Sequence, residues 1–237
     1  MSATPVLLAV GHGTRDPAGV ATIRALLDRV RARRPWLHVA ECFAEICAPS
    51  LEDAVAGLTG PAVAVPLMLG RGYHSLVDIP GRTGPGAVVT RPLGPHALLA
   101  RALVDRLRAT PPADAVVLGA AGTSDPSGVA DVRAAARMLG RYLGRPVAHG
   151  FAASAEPSLP EVVGTLRRRG ARRVVVASYL LAPGFFHRRI LDCGANAVSP
   201  PIGVHDALAA LILRRYDEAA AAYGRAGEAP QKAISRA

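Results

Sequence analysis

The chain has 237 residues, half of them hydrophobic, and a formal charge of +10. That is enough for one large domain or two ordinary ones with a real core, and it excludes an intrinsically disordered chain. No uninterrupted apolar run reaches the roughly 18 residues of a transmembrane helix. No charged segment precedes the first apolar run, so no signal peptide is read, and a cytoplasmic protein without a membrane partner is expected.

The positive charge is almost all arginine, Lys232 being the one lysine. It fits an anionic partner, although a chain rich in Arg, Ala, Gly and Pro is also what a GC-rich gene encodes. Aromatic residues make up 4% of the chain and do not interleave with the basic ones, so nucleic acid is not an expected partner. Cys42, Cys47 and Cys193 form no Cys-x-x-Cys pair and read as free, buried thiols.

Strand and helix alternate from the start. Pro5 to Val10 reads as a strand, followed by the corner Gly11-His12-Gly13-Thr14-Arg15-Asp16-Pro17. Pro17 to Arg34 carries Val20, Ile23, Leu26, Leu27 and Val30 on one helical face and is closed by Pro35. Leu37 to Phe43 is a second strand, and a short helix opens at Pro49-Ser50-Leu51 and runs to about Leu58. Ala62 to Leu67 is a third, wholly apolar strand ending in the loop Gly70-Arg71-Gly72-Tyr73-His74. A weak strand at Ala87 to Thr90 and a helix from His96 to about Arg108 complete the unit. This order predicts a parallel sheet with right-handed crossovers.

After Thr110-Pro111-Pro112-Ala113, which reads as a linker, the pattern restarts. Gly122-Thr123-Ser124-Asp125-Pro126-Ser127-Gly128 repeats Gly13 to Gly19, Val147 to Ala152 repeats Val39 to Ala44, Pro157-Ser158-Leu159 repeats Pro49-Ser50-Leu51, and Gly203-Val204-His205 repeats Gly94-Pro95-His96. Anchors recurring in one order mark a duplicated α/β domain. The predicted architecture is two tandem domains, residues 1–110 and 114–224, each with a parallel sheet of about four strands flanked by helices and a cleft between them. A disordered tail is expected over 225–237.

What both copies keep serves the fold. Asp16 and Asp125 read as N-caps, Pro17 and Pro126 as first-turn prolines, and His96 and His205 as capping or packing residues. His38 and His149 are expected at strand starts, away from the carboxyl ends. What one copy alone carries points to chemistry. His12 faces Ala121, Glu45 faces Ala153, and His74 faces Phe186, with His187 one place along. Each of the three lies just beyond a predicted strand end, so adjacent strands bring them to one rim, where open α/β sheets bind ligands. Two imidazoles and a carboxylate without a fourth protein ligand make an open site for Fe, Co, Ni or Zn.

The motifs Gly-His-Gly-Thr-Arg-Asp-Pro, Cys-Phe-Ala-Glu-Ile-Cys-Ala-Pro-Ser-Leu and Val-Pro-Leu-Met-Leu-Gly-Arg-Gly-Tyr-His resemble the sirohydrochlorin chelatase family, as does Ser178 to His187 in the second half. The resemblance covers roughly residues 5–222. It implies insertion of a divalent metal into sirohydrochlorin, with His12 and His74 binding metal and helping to accept pyrrole protons, and with Glu45 at the family's acidic position. Iron would give siroheme, and cobalt would lead to the anaerobic cobalamin route. The chain lacks the histidine-rich tract and carboxyl-terminal cysteine cluster of long cobalt-associated members, which tilts the expectation toward Fe²⁺ over Co²⁺ or Ni²⁺.

The substrate would be a polyanionic tetrapyrrole, and no organic cofactor is expected. Arg15, Arg71, Arg188 and Arg189 are candidate carboxylate clamps, and Tyr73 a candidate substrate contact. A carrier that binds tetrapyrrole or metal without turnover is the alternative from another class. A nucleotide module is disfavoured, because the corner lacks Gly-x-Gly-x-x-Gly and a P-loop lysine. The duplication supplies a pseudo-dimer within one chain, and a monomer is expected.

Overall fold

The computed structural model describes residues 4–227. The first half contains β1 (Val6–Gly11), α1 (Pro17–Arg33), β2 (Val39–Phe43), α2 (Leu51–Ala56), β3 (Ala62–Pro66), α3 (Ile79–Thr83), β4 (Ala87–Val89) and α4 (Ala97–Leu107). The second contains β5 (Ala115–Ala120), α5 (Pro126–Leu143), β6 (Val147–Phe151), α6 (Leu159–Arg168), β7 (Val174–Tyr179), α7 (Phe185–Leu191), β8 (Ala197–Val198) and α8 (Asp206–Gly227). The strands form two parallel four-stranded sheets, ordered β2-β1-β3-β4 and β6-β5-β7-β8.

The duplication holds at the level of register. Leu7 pairs with Val39 and Val6 with Ala62 in one sheet, as Val116 pairs with Val147 and Ala115 with Val174 in the other. Central strands β1, β3, β5 and β7 are buried on both faces, which explains their unbroken apolar runs. The shared corner residues act as fold hardware. Asp16 accepts from the Ala18 N–H at 3.0 Å and Asp125 from the Ser127 N–H at 2.7 Å, while His96 and His205 cap α4 and α8, each through Nδ1 at 3.1 Å. Gly13 (φ +106°) and Gly122 (φ +121°) lie where any Cβ would overlap the Glu45 or Ala153 carbonyl oxygen, so only glycine closes this corner.

The two halves exchange their last helices. α4 packs on α5 and β7 of the second half, α8 packs on α1 and β3 of the first, and the two meet each other. The inner faces of both sheets therefore share one core with α1, α4, α5 and α8. Separate small cores lie on the outer faces, around Leu51 and Ile79 in the first half and Leu159 and Ile190 in the second. Reciprocal arginines fasten the exchange. Arg106 of α4 donates to the Ile202 and Val204 carbonyls, and buried Arg215 of α8 donates to the Pro92 and Leu93 carbonyls.

Three local expectations change. The segment after the third strand, read from sequence as a loop, is helical from Tyr73 through Thr83 and includes a π-turn over His74–Asp78. His149 is the middle residue of β6 and not its start. The expected tail begins inside α8, which continues through Gly227, and residues 228–237 lie outside the described part. Cys42 and Cys193 are buried and Cys47 half-buried, all as free thiols. Among the described residues, no helix is long and apolar enough to cross a membrane.

Candidate metal centre

His12 follows β1, Glu45 follows β2, and His74 stands on the helical turn after β3, so adjacent parallel strands deliver the three to one rim. The Glu45 N–H bonds the His12 carbonyl at 2.9 Å, tying the first two loops together, and the copy repeats this bond between Ala153 and Ala121. The His12 and His74 rings meet edge-to-face with centroids 4.5 Å apart. One ligand atom from each of His12, Glu45 and His74 lies within 4.8 Å of the others, and His12 and Glu45 are exposed. His74 Nε2 is 3.7 Å from Glu45 Oε1.

The imidazoles are aimed by what their other nitrogens meet. His74 Nδ1 is 3.0 Å from Asp78 Oδ2, and a carboxylate there only accepts, so Nδ1 carries a hydrogen and Nε2 is the nitrogen on the Glu45 side. Asp78 also accepts from Arg82 at 3.2 Å, and Arg82 makes a two-pronged pair with Glu52 at 2.6 and 2.8 Å and donates to the Ala44 carbonyl. The hydrogen bond from Arg82 holds the Glu52 carboxyl down at about 2. His12 Nδ1 makes a long 3.4 Å contact to the Gly13 carbonyl oxygen.

Asp78 and Arg82 escaped the reading of the sequence. Their signal was present: His74, Asp78 and Arg82 are spaced by four, and the second copy has Phe186, Ile190 and Gly194 in their places. Cys47 contributes structure at this rim, its Sγ lying 3.1 Å from the Thr14 carbonyl oxygen and 3.3 Å from the Thr14 nitrogen. Burial pushes the Cys42 thiol up to about 12, as suits a core residue.

The expected clamps divide into two groups. Arg15 and Arg189 are exposed and make no ion pair among the described residues, Arg189 lying over the Phe185 ring at 5.8 Å. Arg71 and Arg188 are engaged: Arg71 binds Asp131 of α5, and Arg188 binds Asp16 at 2.8 Å. A guanidinium already bound to a carboxylate is a weaker clamp for another, so the expectation for these two arginines is narrowed. Tyr73 is exposed and packs against His74 with ring centroids 5.6 Å apart. Ile46 next to Glu45, Leu76 and Val77 on the His74 turn, and Phe185 and Phe186 in the second half are large exposed apolar side chains.

The carboxyl ends of the two sheets meet. Gly19 of α1 admits the Pro183 carbonyl, and Gly128 of α5 admits the Arg71 carbonyl at the equivalent place. The surface grooves lined by Arg137, Arg141 and Val147, and by Arg31, Trp36 and His38, contain none of the three ligands, and the chemistry follows the ligand cluster instead of those hollows.

The CbiX family model matches the chain twice, over residues 6–110 and 115–219. The chain belongs to the CbiX family. A sirohydrochlorin ferrochelatase of Priestia megaterium is 27% identical over 232 residues, covering 87% of each chain. A sirohydrochlorin cobaltochelatase of the same organism is 28% identical over 207 residues, or 78% of this chain, which spans 66% of that relative's length. The solved structure of SirB from Bacillus subtilis with Fe³⁺ superimposes with a TM-score of 0.76 at 26% identity, covering 95% of this chain and 98% of that one. As a CbiX protein with two family units, this chain keeps the duplicated fold, and among the described residues the candidate ligand cluster lies in the first unit.

Proposed function

We propose that this protein is a sirohydrochlorin chelatase and that its metal substrate is Fe²⁺, with Co²⁺ as the alternative. The observation that carries the reading is the open three-ligand cluster His12–Glu45–His74, present in one CbiX unit and replaced by Ala121, Ala153 and Phe186 in the other. A storage site would gain from closing around its ion, whereas three ligands with an exposed side leave room for an acceptor. Iron is favoured because the ferrochelatase relative is matched across 87% of its length and the cobaltochelatase across 66%. The ligand set itself accepts either ion.

Insertion exchanges one dication for two pyrrole protons. His12 and His74 take the hydrated ion through outward nitrogens and displace part of its water. Glu45, beside His74, is a base for a leaving pyrrole proton and a counter-charge for the ion. As the macrocycle nitrogens bind the metal, the imidazoles let go and take up the second proton. The exposed apolar groups Ile46, Tyr73, Leu76 and Val77 suit the face of a tetrapyrrole, and Arg15 and Arg189 suit its peripheral carboxylates. The test is a multiple-turnover absorbance assay with sirohydrochlorin and either ion. Many turnovers with Fe²⁺, faster than with Co²⁺, are expected; faster Co²⁺ turnover reverses the metal, and one equivalent bound without turnover makes the protein a carrier.

A further inference from the structure

The loop that presents His74 is held from the other half of the molecule, and the hold is ionic. Asp131 sits on the buried face of α5, 5% exposed and flanked by Val132 and Ala135 of the core. Its Oδ2 accepts from the Arg71 backbone N–H at 2.8 Å and from Arg71 Nε at 3.0 Å, and its Oδ1 accepts from the guanidinium at 2.7 Å. Two neutral contacts join it: the Tyr179 hydroxyl donates to the Leu69 carbonyl at 2.9 Å, and the Arg71 carbonyl lies against Gly128. Gly70 and Gly72 flank Arg71, so the backbone on either side is free to turn unless something fixes it.

The carbonyl-on-glycine contact recurs in the other half, where Pro183 meets Gly19, but the ionic part of the brace is one-sided. At the equivalent positions, Thr22 stands for Asp131 and Pro183 for Arg71, and Leu67 of the first half stands for Tyr179. A carboxylate is costly to bury unless paired and hydrogen-bonded, and among the described residues Asp131 is the buried one, set against the loop that leads to His74.

We propose that Asp131 is a positioning residue for metal capture, acting through Arg71 to hold the His74 turn at the distance from His12 and Glu45 that three-point ligation needs. This rests on the chelatase reading for its link to turnover. The brace acts twice over. It fixes the turn, and it neutralises a guanidinium that would otherwise repel the incoming dication. The second CbiX unit thus contributes to the chemistry without a ligand of its own.

The test uses the full chain and Co²⁺ alone as probe, followed by visible absorption, alongside insertion kinetics. Asp131→Asn is expected to weaken Co²⁺ binding about tenfold and lower kcat by a similar factor, with KM for sirohydrochlorin near that of the parent. Far-UV circular dichroism checks the fold. Should Asp131→Asn fail to fold, Arg71→Lys keeps the charge, loses the fork, and is expected to show the same split in a folded protein. In the double variant Asp131→Asn/Arg71→Ala the losses are expected to fall short of additive, because both remove one device. Folded single variants with parental Co²⁺ affinity and kcat overturn the proposal, as does a loss confined to KM. A parent that binds Co²⁺ but never turns over sirohydrochlorin defeats the chelatase reading instead, and leaves the Co²⁺ arm to decide the role of Asp131.

Discussion

Asp78 Oδ2 receives His74 Nδ1 at 3.0 Å and Arg82 at 3.2 Å, so one carboxylate oxygen joins the proposed metal-binding imidazole to an ion-paired arginine. The bond settles which nitrogen of His74 is free for a metal, and the arginine settles where the carboxylate points. Asp78→Asn should weaken Co²⁺ binding about tenfold to a hundredfold. The amide can donate as well as accept, so His74 loses its enforced tautomer while the turn keeps its shape. A Co²⁺ titration followed in the visible checks this, and unchanged affinity removes Asp78 from the ligand-orienting role.

The strands, their parallel order and the duplication were legible because buried parallel strands leave continuous apolar runs, and because a repeated fold repeats its corner residues. The helical turn after β3 was not. Pro80 and Gly81 interrupt its pattern, and its buried residues, Ser75, Ile79 and Thr83, make too short a stripe to read as a helix. The exchange of α4 and α8 was also hidden, since an apolar stripe tells that a helix is covered and not by which sheet. His12, Glu45 and His74 stood out through their absence from the second copy. Arg71 shows the limit of that method: the chain around it announces a cation near a histidine, but its neutralising partner Asp131 lies on a helix of the other half.

Arg215 should be a stability residue. Its side chain is 1% exposed, and it donates from α8 to the Pro92 and Leu93 carbonyls of the segment that leads into α4. Arg215→Ala strands two buried carbonyls and leaves a cavity, at a cost of about 3 kcal/mol. Urea unfolding monitored by circular dichroism measures it. A loss below about 1 kcal/mol would show that Arg215 does not fasten the halves.

Acid should loosen α8. Hydrogen bonds from Arg29 and Arg33 hold Asp206 at about 2. Burial tends to raise Glu218, but bonds from Arg214 and Arg91 outweigh it and also hold that group at about 2. Both folded values lie below the ordinary ones. The stabilisation is therefore complete above the unfolded carboxyl range near pH 4 to 4.5 and is lost as pH falls toward 2. Relative to the intrinsic exchange rate, which itself slows over this range, protection between pH 5 and 2.5 should fall in α8 ahead of β1 and β3; protection in α8 that persists to pH 2.5 contradicts it.

The arginines should separate by their partners. Arg15→Ala and Arg189→Ala are expected to raise KM for sirohydrochlorin about fivefold each, and added salt should raise KM of the parent. Arg188→Ala should do less, because Asp16 already engages that guanidinium. A KM indifferent to ionic strength would remove arginine clamping from the account.

The most direct test of the central claim is the steady-state rate of Fe²⁺ insertion into sirohydrochlorin by the parent, His12→Ala, His74→Ala and His187→Ala side by side. His12 and His74 belong to the candidate ligand cluster, whereas His187 is partly buried on α7 with an Nε2 that meets no hydrogen-bond partner among the described residues. Loss of insertion with the fold intact is expected in the first two variants, and near-parental turnover in the third. Insertion that survives His12→Ala or His74→Ala, or that falls equally in His187→Ala, contradicts metal ligands confined to one half of the chain.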